Sequence, residues 1–294
     1  MKNLIIILIF TIVLFFYLHM IYHLKQSNDI DVYEINTPSK DELEEICNYR
    51  QPVLFHYNNN EINNHFNIDN IKLYNQFDVN VRNVDKDISD EDELYIPFNV
   101  SKLFEIIKTE KTNTYITEHN ADFLNETGLI KNMKYNDNML RPYFMILNKY
   151  DMLSGCKFSR TPFRYNLNYR NYFHVVSGNV KIKLTPPNSG KHLNEIKDHD
   201  NFEFRTNINL WDPSSNDKIN INKIKIIDLK LSEGQIIYIP KYWWYTFEYD
   251  VNTILINYKY DTYMSIISQC PQLMMYMLQS QNIKINKFNK YNSA

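Results

Sequence analysis

Cysteine is scarce in this sequence, and the cysteines present are not spaced for cross-linking or metal binding. The chain of 294 residues contains three, Cys47, Cys156 and Cys270, which lie far apart and form no Cys-x-x-Cys pair. Disulfide frameworks and zinc ribbons both need closely paired cysteines. The sequence therefore indicates neither, and it favours a reducing compartment.

An excess of charge of one sign is also lacking. Lys and Arg number 32 and Asp and Glu number 34, so the formal net charge is -2 at pH 7. Proteins that bind nucleic acid use a basic stripe to displace counterions from the phosphates. We therefore expect no nucleic acid as the main partner. Glycine is rare and asparagine is frequent, which indicates AT-rich coding DNA rather than a function.

One long run near the N-terminus, Leu4 to Leu24, contains no Asp, Glu, Lys, Arg, Gly or Pro. A helix of this length measures about 30 Å, which matches the hydrocarbon thickness of a bilayer and exceeds the apolar core of a signal peptide. A cleaved secretory signal is the alternative, but residues 25–30 contain no small-x-small cleavage site. We therefore expect residues 4–24 to be a retained anchor that makes this a single-pass membrane protein.

The remaining chain divides into three parts by composition. About 270 residues follow the anchor, enough for one large domain with a sizeable core. Residues 25–40 are polar and predict a short stalk, and residues 41–260 predict the domain itself. Residues 261–294 predict a C-terminal helix and tail, with an apolar, Met-rich helix interrupted near Pro271.

Helix signals lie in the first half of the domain. Ser39 with Glu42 three positions later is typical of a helix start, and this helix is expected to reach about Asn48. Residues 102–111 and 120–128 predict two more helices, the second ending at a glycine.

Two polar segments predict loops. Residues 58–64 follow a strand-like apolar run at residues 52–57. Residues 85–93 are acidic but lack the glycine and the carboxylate spacing of a calcium loop, so a solvated loop is expected there.

Short apolar runs separated by turn residues dominate the chain after Arg141. In Val180 to Leu184 the apolar residues alternate with lysines, which predicts a strand with one buried face. The pattern indicates a mainly β (α+β) domain built as an antiparallel sandwich or barrel. The predicted strands are residues 143–147, 172–176, 180–184, 224–229, 235–239 and 253–258.

Three segments of this half resemble a known family. Residues 161–166 are Thr-Pro-Phe-Arg-Tyr-Asn, residues 184–187 are Leu-Thr-Pro-Pro, and residues 234–245 are Gly-Gln-Ile-Ile-Tyr-Ile-Pro-Lys-Tyr-Trp-Trp-Tyr. They resemble the cupin-like domains of the JmjC class, which carry Thr-Pro-x-His-x-Asp, a strand ending in Pro-Pro, and Gly-Asp-x-x-x-Ile-Pro-x-x-Trp-Trp-His. The resemblance covers about residues 40–260. It implies a double-stranded β-helix, that is a cupin or jelly-roll barrel, with flanking helices.

The residues at the family's metal-binding positions differ in this chain. Active members bind Fe(II) with two histidines and a carboxylate, which leave open positions for 2-oxoglutarate and oxygen. Here Arg164 and Tyr245 stand where the family has histidines, and Asn166 stands where it has Asp. A guanidinium has no lone pair to donate, an amide offers only a neutral carbonyl, and a phenol has a pKa of about 10. The family's lysine for 2-oxoglutarate corresponds to Val180. The resemblance therefore implies a degenerate metal site, with no catalytic residue and no cofactor.

Other metal-binding side chains lie nearby in the sequence, namely Cys156, His174, His192 and His199. If Asn171 and Val180 face the interior, strand alternation turns His174 the other way. His192 and His199 lie in a polar insert, where surface histidines are common. We assign a structural role to each of these histidines.

The resemblance also implies a pocket around Arg164. The other residues expected there are Thr161, Asn171, Val180, Trp243 and Trp244. In one account, Arg164 binds a small anionic ligand bidentately at the mouth of the barrel. In the other, Arg164 pairs with an internal carboxylate, because a lost metal leaves a polar cavity that needs partners.

Three functions follow from these observations. The first is a non-catalytic cupin fold held at a membrane as a binding or structural module. The second is an Fe(II)/2-oxoglutarate-dependent hydroxylase with displaced ligands. The third is a scaffold that forms a homodimer through the C-terminal helix, whose apolar residues 274–277 need cover. Similar anchored proteins occur in large DNA viruses with AT-rich genomes, so the resemblance also implies a viral protein of a host or virion membrane.

Overall fold

The computed structural model describes residues 2–57, 59–84, 94–109 and 114–293. The acidic segment at residues 85–93, predicted to be a loop, lies outside the described residues. The helices are α1 Lys2–Leu24, α2 Lys40–Cys47, α3 Asn60–His65, α4 Ile68–Ile71, α5 Val100–Thr109, α6 Ala121–Glu126, α7 Ile130–Met133, α8 Asp137–Leu140, α9 Ser215–Ile221, α10 Tyr263–Ser268 and α11 Cys270–Ser293. The strands are β1 Tyr33–Ile35, β2 Val53–His56, β3 Asp78–Asn83, β4 Ile96–Asn99, β5 Tyr115–Thr117, β6 Met145–Gly155, β7 Phe163–Tyr165, β8 Arg170–Ser177, β9 Asn179–Thr185, β10 Ile196–Asp198, β11 Glu203–Thr206, β12 Ile227–Ser232, β13 Gln235–Tyr238, β14 Trp244–Tyr249 and β15 Ile254–Thr262.

The strands form two sheets. The large sheet has nine strands in the order β1-β2-β13-β8-β15-β6-β5-β3-β4, and the small sheet has six in the order β10-β11-β7-β14-β9-β12. Neighbouring strands are antiparallel except for β1 and β2, which are parallel. The chain passes repeatedly from one sheet to the other, so β6 and β8 lie in the large sheet while β7 and β9 lie in the small one. The predicted sheet-rich fold with flanking helices is confirmed. Within the described residues it is a two-sheet arrangement and not one closed barrel.

The main core lies between the sheets. Val180, Ile182 and Leu184 of β9 are fully buried there, whereas the side chain of Lys181 points away and is 55% exposed. Phe173 of the large sheet packs against this row. The predicted alternation is thus confirmed, and each fully buried side chain of this kind contributes about 1.5–3 kcal/mol.

Helices cover the outer face of the large sheet and make a second core. Tyr172 of β8 and Tyr258 of β15 pack there with Leu43 of α2. The α2 helix begins as predicted, because the Ser39 hydroxyl accepts a hydrogen bond from Glu42 N and the Glu42 carboxylate accepts one from Ser39 N, both at 3.3 Å. This capping box fixes where the domain starts.

Other predicted boundaries differ by small amounts. The α5 helix begins two residues before the predicted position, and its predicted end lies outside the described residues. The α6 helix ends at Glu126, and Gly128 follows with φ +74°, the left-handed conformation that glycine adopts easily. The loop predicted at residues 58–64 is partly wrong. Residues 60–65 form α3, because the Asn59 side chain accepts a hydrogen bond from Glu61 N and caps the helix.

The two ends of the chain carry exposed apolar helices. The helix pair α10 and α11 is interrupted at Gln269, just before Pro271, which confirms the predicted break. The α11 helix exposes Met274, Met275, Met277 and Leu278. The α1 helix packs on α10 and otherwise extends from the domain.

Candidate functional site

A small enclosed cavity lies between the sheets, beside Arg164. Its volume is about 50 Å³, and both sheets contribute to its wall. This space holds water molecules, whereas pockets for metabolites measure about 300 Å³ or more. The lining residues used below are Glu118, His119, Arg164, Asn166, Glu203, Tyr245, Asn257 and Lys259.

The structure brings Arg164, Asn166 and Tyr245 together at this cavity. Arg164 of β7 and Tyr245 of β14 are direct partners in the register of the small sheet. The amide of Asn166 donates a hydrogen bond to the Tyr245 hydroxyl at 2.8 Å. The three side chains therefore line one site.

The guanidinium of Arg164 is bound by two carboxylates. Its Nη1 donates to Glu118 Oε1 and to Glu203 Oε1, both at 3.0 Å, and its Nη2 donates to Glu118 Oε2. A second guanidinium, that of Arg82, donates from Nη1 to both oxygens of Glu203 at 2.9 and 3.2 Å. We refer to Arg82, Glu118, Arg164 and Glu203 as the Arg-Glu quartet. Two cations and two anions make it neutral.

The Arg-Glu quartet joins the two sheets. Arg82 belongs to β3 and Glu118 follows β5, so both come from the large sheet, while Arg164 and Glu203 belong to β7 and β11 of the small sheet. Each bidentate interaction crosses between sheets, and no member is more than 8% exposed. Of the two accounts of Arg164, the structure contains the internal ion pair.

All four members of the quartet are charged at neutral pH. Burial alone would raise the pKa of Glu118, but the charge and hydrogen bonds of Arg164 outweigh it and hold that pKa well below its usual range. The pKa of Glu203 is also lowered, because Arg82 and Arg164 outweigh its burial. The carboxylates in turn hold the pKa of Arg164 well above its usual value despite burial. The Tyr95 hydroxyl adds a hydrogen bond to Glu118 at 2.7 Å.

These residues do not fit a ferrous ion. Arg164 brings a fixed positive charge to the cavity, and both oxygens of Glu118 already accept hydrogen bonds from it. Burial raises the pKa of Tyr245, so this side chain stays a neutral phenol. In the part of the chain that the structure describes, no group of three or more His, Cys, Asp or Glu side chains is placed to hold a metal ion.

The histidines considered from the sequence lie away from the cavity. His174 faces the helix-covered side of the large sheet, opposite to the cavity, as alternation predicts. It is nevertheless completely buried, and burial lowers its pKa to about 4, so it is neutral. His192 and His199 are half-buried in the segment between β9 and β11.

The five other residues expected around the pocket do not line this cavity. Thr161 holds the start of the small sheet, since its hydroxyl accepts a hydrogen bond from the backbone of β14 at 2.9 Å. Asn171 lies next to the site, where it accepts a hydrogen bond at 2.8 Å from Asn257, and Asn257 does line the cavity.

The remaining three of these residues are structural. Val180 belongs to the core between the sheets. Trp243 is also buried there and donates a hydrogen bond to the carbonyl of Arg50 at 3.2 Å. Trp244 packs in a third cluster on the outer face of the small sheet.

Sequence reasoning missed the carboxylates that bind Arg164. Glu203 lies between Phe202 and Phe204 and belongs to β11, which was not among the predicted strands. Glu118 follows the short strand β5, outside every recognised motif. The one available signal was Glu203 between two phenylalanines, which indicates a charged side chain that is buried with a partner.

Comparison with known families agrees with the geometry. A family model described as a cupin-like domain matches residues 39–265, more than half of the chain. The match begins at the α2 capping box and includes β2 to β15 and the Arg-Glu quartet, but neither α1 nor β1 nor α11. No curated protein matches the chain.

Proposed function

This chain belongs to the cupin-like domain family, and we propose that it is a non-catalytic member, held at a membrane by α1 and acting as a binding or structural module. The observation that carries this proposal is the Arg-Glu quartet. It occupies the position at which, by resemblance, active proteins of the JmjC class hold Fe(II).

Neither the metal nor 2-oxoglutarate is expected as a cofactor. An Fe(II) site of this type needs two imidazoles and a free carboxylate. Of the cavity carboxylates, Glu118 and Glu203 are committed to guanidinium groups, and freeing one would leave a buried cation without its partner. The third, Asp151, accepts hydrogen bonds from the backbone N-H groups of His119 and Asn120. A cavity of about 50 Å³ is also too small for 2-oxoglutarate. The alternative, a hydroxylase with displaced ligands, requires the quartet to rearrange.

The retained anchor is supported by the contacts of α1. Its most apolar window has a mean hydropathy of 2.9, which suits a bilayer and a signal sequence equally. The end of α1, however, packs on the domain: it contacts α10, and the His23 ring lies 5.1 Å from that of Tyr169. Cleavage would uncover these surfaces. Mass spectrometry of the mature protein tests the proposal, because a chain lacking residues 1–24 would contradict it.

Iron content tests the non-catalytic assignment. The full chain in detergent micelles is incubated with excess Fe(II) without oxygen, desalted, and analysed for iron by mass spectrometry. We expect far less than one iron per chain, and no succinate when 2-oxoglutarate and oxygen are then added together. About one iron per chain, removable by a chelator, would overturn the proposal. The triple variant R164H/N166D/Y245H is the matched control, because it restores the ligand types of the family.

A further inference from the structure

Basic side chains are buried where α1 meets the domain. Arg50 is 4% exposed, Lys241 is 7% exposed, and His23 of α1 is 9% exposed. The charges of Arg50 and Lys241 are close enough to interact, since Arg50 lowers the pKa of Lys241. Buried cations usually have a carboxylate partner, so their surroundings are informative.

The guanidinium of Arg50 has no hydrogen-bond acceptor among the described residues. Its buried Nε and Nη2 are both without a partner. It lies over the rings of Tyr22 and Tyr169, at 5.2 and 5.0 Å, which position it but accept none of its in-plane N-H groups. Arg170 nearby differs, because it donates to Glu44 at 3.0 Å. Arg50 is therefore held in place while its Nε and Nη2 hydrogen-bond donors remain unused.

Lys241 is only partly compensated. Its Nζ donates to the hydroxyl of Ser268 at 3.2 Å, and burial lowers its pKa to about 8. Asp261 is the carboxylate that acts on it, but Asp261 already accepts hydrogen bonds from Tyr169 N at 3.0 Å and from Gln269 at 3.0 Å. Lys241 thus has only a committed carboxylate near it, and Arg50 has no carboxylate partner among the described residues, which leaves a positive excess.

The position of this excess points to its ligand. Tyr22 and His23 directly precede Leu24, the last residue of α1, so they lie at the headgroup level when α1 spans a bilayer. Tyr22 also borders a shallow, open groove on the surface of α1, lined by Leu18, Ile21, Leu24 and Lys25. Basic pockets at this level bind phospholipid headgroups, and a guanidinium matches phosphate oxygens bidentately.

We propose that Arg50 and Lys241, with Tyr22 and His23 of α1, form a binding site for a phosphate group supplied by a phospholipid headgroup. The phosphate oxygens would accept the unused N-H groups of Arg50 and neutralise the charge shared with Lys241. An acyl chain would follow the groove beside Tyr22. This inference rests on the retained anchor of the proposed function.

Thermal unfolding of the full chain in neutral detergent micelles, followed by tryptophan fluorescence, tests the site. The probes are dioctanoyl phosphatidic acid, dioctanoyl phosphatidylcholine and inorganic phosphate. We expect a saturable rise in Tm with phosphatidic acid that exceeds the rise with phosphatidylcholine. Arg50→Gln should weaken the apparent affinity roughly 10- to 100-fold, because charge-assisted hydrogen bonds are lost.

Two further variants separate binding from stability. Lys241→Met keeps the aliphatic packing and removes the charge, so we expect a lipid-free Tm at or above that of the wild type with a weaker response to phosphatidic acid. Lys131→Gln removes an exposed charge on α7, away from α1, and should respond like the wild type. A Lys241→Met variant with a lower Tm and an unchanged lipid response would show a structural lysine and overturn the inference.

Other results also decide the matter. No response of the wild type, or equal responses of the wild type and Arg50→Gln, would overturn the site. A response to inorganic phosphate that phosphatidic acid does not reproduce would overturn the lipid assignment. The purified full chain carries α1 whether or not cells cleave it, so failure of the anchor proposal is detected separately, by the mass of the mature protein.

Discussion

Replacing Glu118 with Gln tests the Arg-Glu quartet directly. The variant keeps the shape of the side chain but removes its charge. Glu118 accepts hydrogen bonds from Arg164 and Tyr95, and its Oε1 lies 3.5 Å from Arg82 Nη1. After the change, two guanidinium groups face one carboxylate, so one buried positive charge lacks its partner.

The magnitude follows from this burial. Glu118 is 1% exposed and Arg164 is 6% exposed, so water cannot replace the lost carboxylate. Removal of one partner from a buried ion pair costs about 3–5 kcal/mol. Glu118→Gln should therefore lower the free energy of unfolding by about that amount. In Glu118→Gln/Arg164→Met, the quartet is neutral again, so we expect the double variant to be more stable than Glu118→Gln alone.

Urea unfolding of the full chain in detergent micelles at pH 7 measures these differences. The control is Asp69→Asn, which breaks the exposed pair of Asp69 and Lys72, whose side chains are 92% and 41% exposed. An exposed pair contributes about 1 kcal/mol or less. If Glu118→Gln destabilised the protein no more than Asp69→Asn, our reasoning about the quartet would be refuted.

Two other predictions concern pH and association. The pKa of His174 is lowered by burial from 6.5 to about 4, so as the pH falls through this window the unfolded chain binds a proton that the folded chain does not. The urea midpoint of unfolding should therefore decrease as the pH falls from 6.5 towards 4. In His174→Leu the midpoint should depend less steeply on pH. An equal pH dependence in the variant and the wild type would contradict this. If α11 forms a homodimer, light scattering should give the wild type a protein mass of two chains. The Met274→Glu/Met277→Glu variant should have the mass of one chain. A monomeric wild type would argue against the dimer.

Local signals in the sequence predicted the elements that local interactions form. The Ser39 and Glu42 capping box, the alternation in β9 and the break before Pro271 each depend on neighbouring residues, and each is confirmed. The strand β14, Trp244–Tyr249, was missed although its core residues Tyr245, Phe247 and Tyr249 alternate with Thr246 and Glu248.

The candidate site was predictable only in part, because its partners are distant in sequence. The motif positions Arg164, Asn166 and Tyr245 could be read from the resemblance, and they line one cavity. The identity of the carboxylates depends on how β3 and β5 are placed in the large sheet, which no local pattern encodes. The unpaired state of Arg50 could not be foreseen, since it depends on the contact of α1 with the domain.

The quartet also affects the kinetics of unfolding. Its members come from β3, the end of β5, β7 and β11, so they meet only after both sheets have formed and docked. Interactions that form this late are absent from the folding transition state, so they mainly lower the rate of unfolding. Loss of the quartet should therefore shorten the lifetime of the native protein more than it delays refolding, so the quartet supports kinetic persistence.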